Sequence, residues 1–219
     1  MNASDFEVIK QMTLLTKVDL SGTTMEENKL PDCAFSCFAN DVEQLMAYLK
    51  EVILPEGITV IGNSAFSYLY QLEKVNIPTS VEEIGSEAFA LCHRLSSLDV
   101  SLLTNLKSIG SNAFGGCRSI SSTLQFTNTL ERIGRSAFSG TNVTSVDFSN
   151  TALNGVESYA FSDCAITGDL SFPATLTHIG NGAFDAATPS SIKLKSSNMV
   201  SLGGTDVFKA AKGTTCTVY

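Results

Sequence analysis

A six-residue phrase returns through this chain at nearly constant intervals. It reads Ile-Gly-Asn-Ser-Ala-Phe at 61–66, Ile-Gly-Ser-Glu-Ala-Phe at 84–89 and Ile-Gly-Ser-Asn-Ala-Phe at 109–114. It continues as Ile-Gly-Arg-Ser-Ala-Phe at 133–138 and Ile-Gly-Asn-Gly-Ala-Phe at 179–184, with looser copies ending at Phe35, Phe161 and Phe208. The spacings between successive repeat phenylalanines are 31, 23, 25, 24, 23, 23 and 24 residues. Self-similarity with a period in the low twenties marks a solenoid. Each unit then touches only its neighbours, and the chain stacks into a rod with long side faces. The expected product is one domain of about eight coils, because the copies run nearly from end to end.

The stretch 66–89 shows the unit. Val75 and Ile77 flank Asn76, an alternation that reads as a short strand with the two apolar residues inward. Pro78 follows and cannot donate to a ladder, so the strand ends there. Val81 and Ile84 turn inward again, Gly85 is expected to supply a backbone angle that bulkier residues resist, and Ala88 and Phe89 close the coil. The same template gives the strand pairs Val18/Leu20, Val52/Leu54, Val75/Ile77, Leu98/Val100, Leu124/Phe126, Val146/Phe148, Leu170/Phe172, Ile192/Leu194 and Cys216/Val218. Coils of equal length stack such strands in parallel. Eleven of the thirteen phenylalanines fall in the repeat or second strand slot, so the pattern assigns them to the core and argues against an aromatic ligand platform.

Two segments interrupt the period. Ser4 and Glu7 have capping-box spacing, which predicts a helix to about Met12 with Phe6, Ile9 and Val8 inward and a helical cap over 1–14. Residues 40–50 lengthen the first interval and carry Val42, Leu45, Met46 and Leu49 at helical spacing. They are expected to form an inserted helix, either packed on the first coils or held out for a partner.

Composition narrows the function. Hydrophobic residues make up 43% of the chain and charged residues 16%, enough for a continuous core and too little charge for disorder. A net charge of −8 argues against nucleic acid and anionic lipid as partners. No apolar run approaches the ~20 residues of a membrane span. Cys92, Cys117 and Cys164 each stand three residues after a repeat phenylalanine, where other coils hold Leu69, Thr141, Ala187 and Ala211. That slot reads as a small buried position, which a thiol fills as a hydrophobe. A disulfide framework is the alternative, followed by a zinc site, although the only histidines are His93 and His178.

The pattern Leu-x-x-Val-x-Ile-Pro-x-x-Val-x-x-Ile-Gly-x-x-Ala-Phe-x-x-Cys resembles the BspA-type (Treponema-type) leucine-rich repeat over about residues 15–219. The resemblance rests on Ile61, Gly62, Ala65 and Phe66 and on the same positions at 84–89, 109–114, 133–138 and 179–184, with Cys92 and Cys117. The copy ending at Phe161 departs from it, with Glu157 in the glycine slot. The resemblance implies an α/β-repeat, right-handed leucine-rich-repeat solenoid. A parallel β-sheet would line the concave side, with short helical or 3₁₀ turns on the other and a capping helix at the N-terminus. It also implies a secreted or surface-attached protein of the kind found in gut and oral bacteria, associated with adhesion to host or bacterial surface proteins. No catalytic motif, cofactor or metal comes with it.

In such a repeat the outward strand residues would carry binding. The central row is Asp19, Ile53, Asn76, Asp99, Gln125, Asp147, Ser171, Lys193 and Thr217, beside Lys17, Glu51, Lys74, Ser97, Thr123, Ser145, Asp169, Ser191 and Thr215. The candidate contact residues are Lys74, Asn76, Asp99, Gln125, Asp147, Asp169, Ser171 and Lys193. A solvated face, a protein or glycan surface, and a calcium site using Asp147 and Asp169 are the three readings of these rows. No nucleophile elbow or phosphate-binding loop occurs, and His93 and His178 read as surface and turn residues. The resulting expectation is a non-enzymatic recognition or adhesion module. A structural spacer and a carbohydrate-binding module are the alternatives. The terminal strand around Cys216 offers an open edge for self-association.

Overall fold

The computed structural model describes residues 1–36, 46–96, 98–121, 123–195, 199–210 and 215–218. They coil into a parallel β-solenoid. Strands Lys17–Asp19, Glu51–Ile53 and Lys74–Asn76 stack in parallel. Strands Thr123–Gln125, Ser145–Asp147, Leu170–Phe172, Ser191–Leu194 and Thr215–Val218 do the same in the later coils. The registers align the outward residues as the repeat pattern requires: Asp19 with Ile53 and Asn76, then Gln125 with Asp147, Ser171, Lys193 and Thr217.

The coil between these two ladders departs from the pattern. Leu98 and Val100 are buried as expected, but Val100–Leu102 is a 3₁₀ turn rather than a strand. Asp99 caps that turn, its carboxylate accepting from the Ser101 amide at 3.1 Å and the Ser101 hydroxyl at 2.6 Å.

A second parallel sheet was not legible in the repeat. Its eight strands among the described residues are two residues each: Lys29–Leu30, Val60–Ile61, Glu83–Ile84, Ser108–Ile109, Arg132–Ile133, Gly155–Val156, His178–Ile179 and Ser201–Leu202. Each of the strands through His178–Ile179 sends one fully buried aliphatic residue inward, among them Ile61, Ile84 and Ile133.

The glycine after that residue serves close approach rather than backbone angle. A Cβ on Gly85 would stand 2.8 Å from the Asn63 nitrogen, and one on Gly110 2.5 Å from that of Ser86. The positive backbone angles lie elsewhere, in the turn arc. Ser64 (φ 53) and Tyr68 (φ 64) are left-handed, as are Glu87 and Leu91 one coil on. This alternation aims every second amide at the next coil: Ser64, Phe66 and Tyr68 donate to the carbonyls of Ser86, Ala88 and Ala90 at 2.7–2.8 Å. Ala65, Ser67 and Leu69 donate within their own coil. The arc thus satisfies its backbone without a helix.

The repeat phenylalanines form one continuous column. Neighbouring rings from Phe35 to Phe208 lie 4.8–5.5 Å apart and within 14° of parallel. Phe126, Phe148 and Phe172 make a second, shorter column. Phe6 closes the first, meeting Phe35 edge-on at 5.2 Å. It comes from the helix Ala3–Lys10, which Asn2 and Asp5 cap in place of the expected Ser4 and Glu7. The helix ends two residues earlier than expected, and Val8 is exposed. Of the expected insertion, residues 40–45 lie outside the described residues; 46–48 form a turn, with Met46 and Leu49 buried. No helix among the described residues is long and apolar enough to cross a membrane.

The thiols at 92, 117 and 164 are free and buried. Each donates to the carbonyl of a repeat phenylalanine in the preceding coil, at 3.0–3.2 Å. Burial pushes Cys92 well above the ordinary 9.0, Cys117 up to about 12 and Cys164 up to about 11. The folded state holds these protons more tightly than the unfolded chain. Their contribution to stability is therefore complete below about pH 9 and is lost as pH climbs from there toward 11–12. The expected result is a melting temperature that falls more steeply above pH 9 in the wild type than in a triple Cys→Ala variant. Alanine already fills the equivalent slot at Ala187. Equal slopes would contradict this assignment.

Candidate recognition surfaces

The strand face holds the residues singled out from the sequence, and most are already engaged with the fold. Asn76 is half-buried and turned along the ladder; its Oδ1 accepts from the Leu54 amide at 2.6 Å and its Nδ2 donates to the Leu54 carbonyl at 3.4 Å. Asp99 caps the 3₁₀ turn. Asp147 accepts from the Ser149 amide at 2.9 Å. Asp169 is bridged by Lys193 at 2.8 Å and accepts from the Ser190 hydroxyl at 2.8 Å. The Lys193 ammonium, with Ser190 and Ser191, holds the Asp169 carboxyl down at about 2. Lys74 and Lys17 share Glu51 at 3.8 and 3.4 Å. Gln125 is exposed and Ser171 half-buried. The structure brings Gln125, Asp147, Ser171 and Lys193 into one row and sets Lys74 and Asn76 on the earlier ladder, with Asp99 between the two. Among the described residues no three His, Cys, Asp or Glu side chains come together as a metal set.

The second sheet carries relief of its own. A groove of about 350 Å³ crosses it from Glu83 to His178. One wall follows from register, which aligns Glu83, Ser108, Arg132, Gly155 and His178 as a single outward row. Five strands at the usual inter-strand spacing span about 19 Å. Gly110 and Gly134 keep the neighbouring row low, since neither can carry a side chain against the coil below. Gly155 is glycine for a different reason: a Cβ there would collide with the imidazole of His178. That ring meets the Glu157 carboxylate through Nε2 at 3.0 Å. The groove is therefore walled by Glu83 and Glu157 with the Arg132 guanidinium between them, and Ser108 adds a hydroxyl. Such a lining can grip an extended segment that alternates charge and hydrogen-bonding groups. Sequence reasoning missed it because it placed His178 in a turn and read no strand there.

A family model described as "BspA type Leucine rich repeat region" matches residues 25–123 and 96–214, in six copies. No curated protein matches the chain. Among solved structures, a leucine-rich cell surface protein from Faecalibacterium prausnitzii A2-165 is 24% identical with a TM-score of 0.63, covering 81% of this chain and 47% of its own. The Treponema pallidum leucine-rich repeat protein is 22% identical with a TM-score of 0.57, covering 77% of this chain and 75% of its own. This chain therefore spans about half the length of the first of these structures, and at such identities the likeness concerns the fold.

Proposed function

The chain belongs to the BspA-type leucine-rich repeat family, and from that premise we propose that it is a non-enzymatic recognition module acting at a cell surface, with a host or bacterial surface protein as its partner. The observation that carries the reading is the groove across five coils, since stacked repeats build a long face and this groove is walled by charged side chains of the second sheet. An extended stretch of the partner would lie along it, its basic groups toward Glu83 and an acidic group toward Arg132. The strand-face residues Lys74, Asn76, Asp99, Gln125, Asp147, Asp169, Ser171 and Lys193 are the alternative contact face, which the test below separates from the groove. The description of the Faecalibacterium structure as a cell surface protein supports the location proposed here.

The test is capture of a panel of extracellular-matrix and mucosal proteins by the wild type and two double variants. Glu83→Lys with Arg132→Glu reverses the groove, and Asp147→Lys with Lys193→Glu reverses the strand face. All four are at the surface, so folding should survive. The groove variant is expected to lose about tenfold in affinity, some 1.4 kcal/mol, while the strand-face variant stays near wild type. The opposite pattern would move recognition to the strand face. A partner kept by both variants would move recognition to another surface, and no captured partner at all would favour a structural spacer.

A further inference from the structure

We propose that Tyr70, His93 and Arg118, on the turn arc, form a binding site for an anionic sugar, a pyranose carrying a carboxylate or a sulfate. The fourth residue after each repeat phenylalanine makes a column that runs Tyr70, His93, Arg118, Asn142. Tyr70 and His93 stack with centroids 5.1 Å apart, and Tyr68 meets Tyr70 edge-on at 6.4 Å. The two tyrosines remain 42% and 46% exposed, so ring surface is presented to solvent rather than buried. Burial, and after it the charge of Arg118 in the next coil of the column, lowers the His93 pKa. Asn142 donates to the Arg118 carbonyl at 2.7 Å and fixes the turn that bears the guanidinium.

Charge points to the class of ligand. The chain is strongly acidic, at −8, yet this column and the adjoining Arg94 carry two guanidiniums beside an imidazole. The ion pairs of the described residues engage neither Arg94 nor Arg118.

The chemistry fits one ligand class. The C–H face of a pyranose lies against the negative face of an aromatic ring. A guanidinium forks onto a carboxylate or sulfate, and an imidazole between them serves a hydroxyl. Two coils separate Tyr70 from Arg118, about 10 Å at normal strand spacing and within reach of a disaccharide. The site stands apart from the groove, and neither proposal depends on the other. It also gives a site to the carbohydrate-binding alternative drawn from the sequence.

The experiment follows the two histidine side chains by NMR while 3′-sialyllactose, a sulfated lactose or plain lactose is added. His178 is the internal control. The proposal expects a charged sugar to move the His93 resonances and raise its titration midpoint, leaving His178 in place, with lactose at least about tenfold weaker. Arg118→Gln should reduce the charged sugar to the level of lactose, and Tyr70→Ala should weaken both. A preference for the sulfated over the sialylated sugar, or the reverse, would name the anion. No movement of His93 at several millimolar sugar, an equal response to lactose, or an equal response to acetate alone would overturn the proposal. So would wild-type binding by the folded Tyr70→Ala variant.

Discussion

Replacing Phe138 with alanine is expected to cost about 3–5 kcal/mol of unfolding free energy, against a total that for domains generally is about 5–15 kcal/mol. Phe138 is fully buried and touches rings on both sides, Phe114 at 5.2 Å and Phe161 at 5.1 Å, with Phe126 edge-on at 6.1 Å. Its removal opens a cavity that neither neighbour can close, because each is held by its own coil. In a stacked chain the lost interface also uncouples the coils before it from those after it. Urea unfolding should therefore show a lower midpoint and a second transition. Phe208→Ala, at the end of the column with one ring neighbour and partial exposure, should cost less than half as much. A Phe138→Ala protein within about 1 kcal/mol of wild type would contradict the column as the stabilising element.

Gly134→Ala is the second large effect. The added Cβ would stand 2.6 Å from the Ser111 nitrogen and 2.7 Å from the Gly110 carbonyl carbon. Both are backbone atoms of the coil below, so relief requires the coils to part. In the Glu157 coil, which carries a side chain in that slot, the amide reaches the Ile133 carbonyl at 3.1 Å, where the glycine coils keep 2.7–2.9 Å. A single alanine is expected to destabilise by about 2–3 kcal/mol. Gly22→Ala is the control. Nothing lies within 4 Å of its Cβ, so it should be neutral or gain about 0.5 kcal/mol through the unfolded chain. Equal effects at the two positions, read by thermal or urea unfolding, would show that close approach is not what the repeat glycine serves.

What could be read from the amino acids follows from how often each signal repeats. The phenylalanine column and the three-residue strands were legible because two inward residues alternate in every coil. The second sheet was not. Its strands have one inward residue each, and the outward partner runs through Lys29, Val60, Glu83, Ser108, Arg132, Gly155, His178 and Ser201 with no common chemistry. The repeat glycine was recognised but credited to backbone angle, since angle and close approach select the same residue. The fate of the acidic row was within reach. Asp19, Asp99 and Asp147 each precede a serine by two positions, and each accepts from that serine's amide at 2.9–3.1 Å. The exposed tyrosines were also within reach, because Tyr68 and Tyr70 share slots with Gly116 and Arg118 rather than with any core residue.

The measurement that bears most directly on recognition is amide chemical-shift mapping of the labelled chain with a captured surface protein. The account predicts a contiguous set of perturbed residues on the second sheet, at Glu83, Ser108, Arg132 and His178. A perturbed set confined to Gln125, Asp147, Ser171 and Lys193, with the groove residues unmoved, would contradict it.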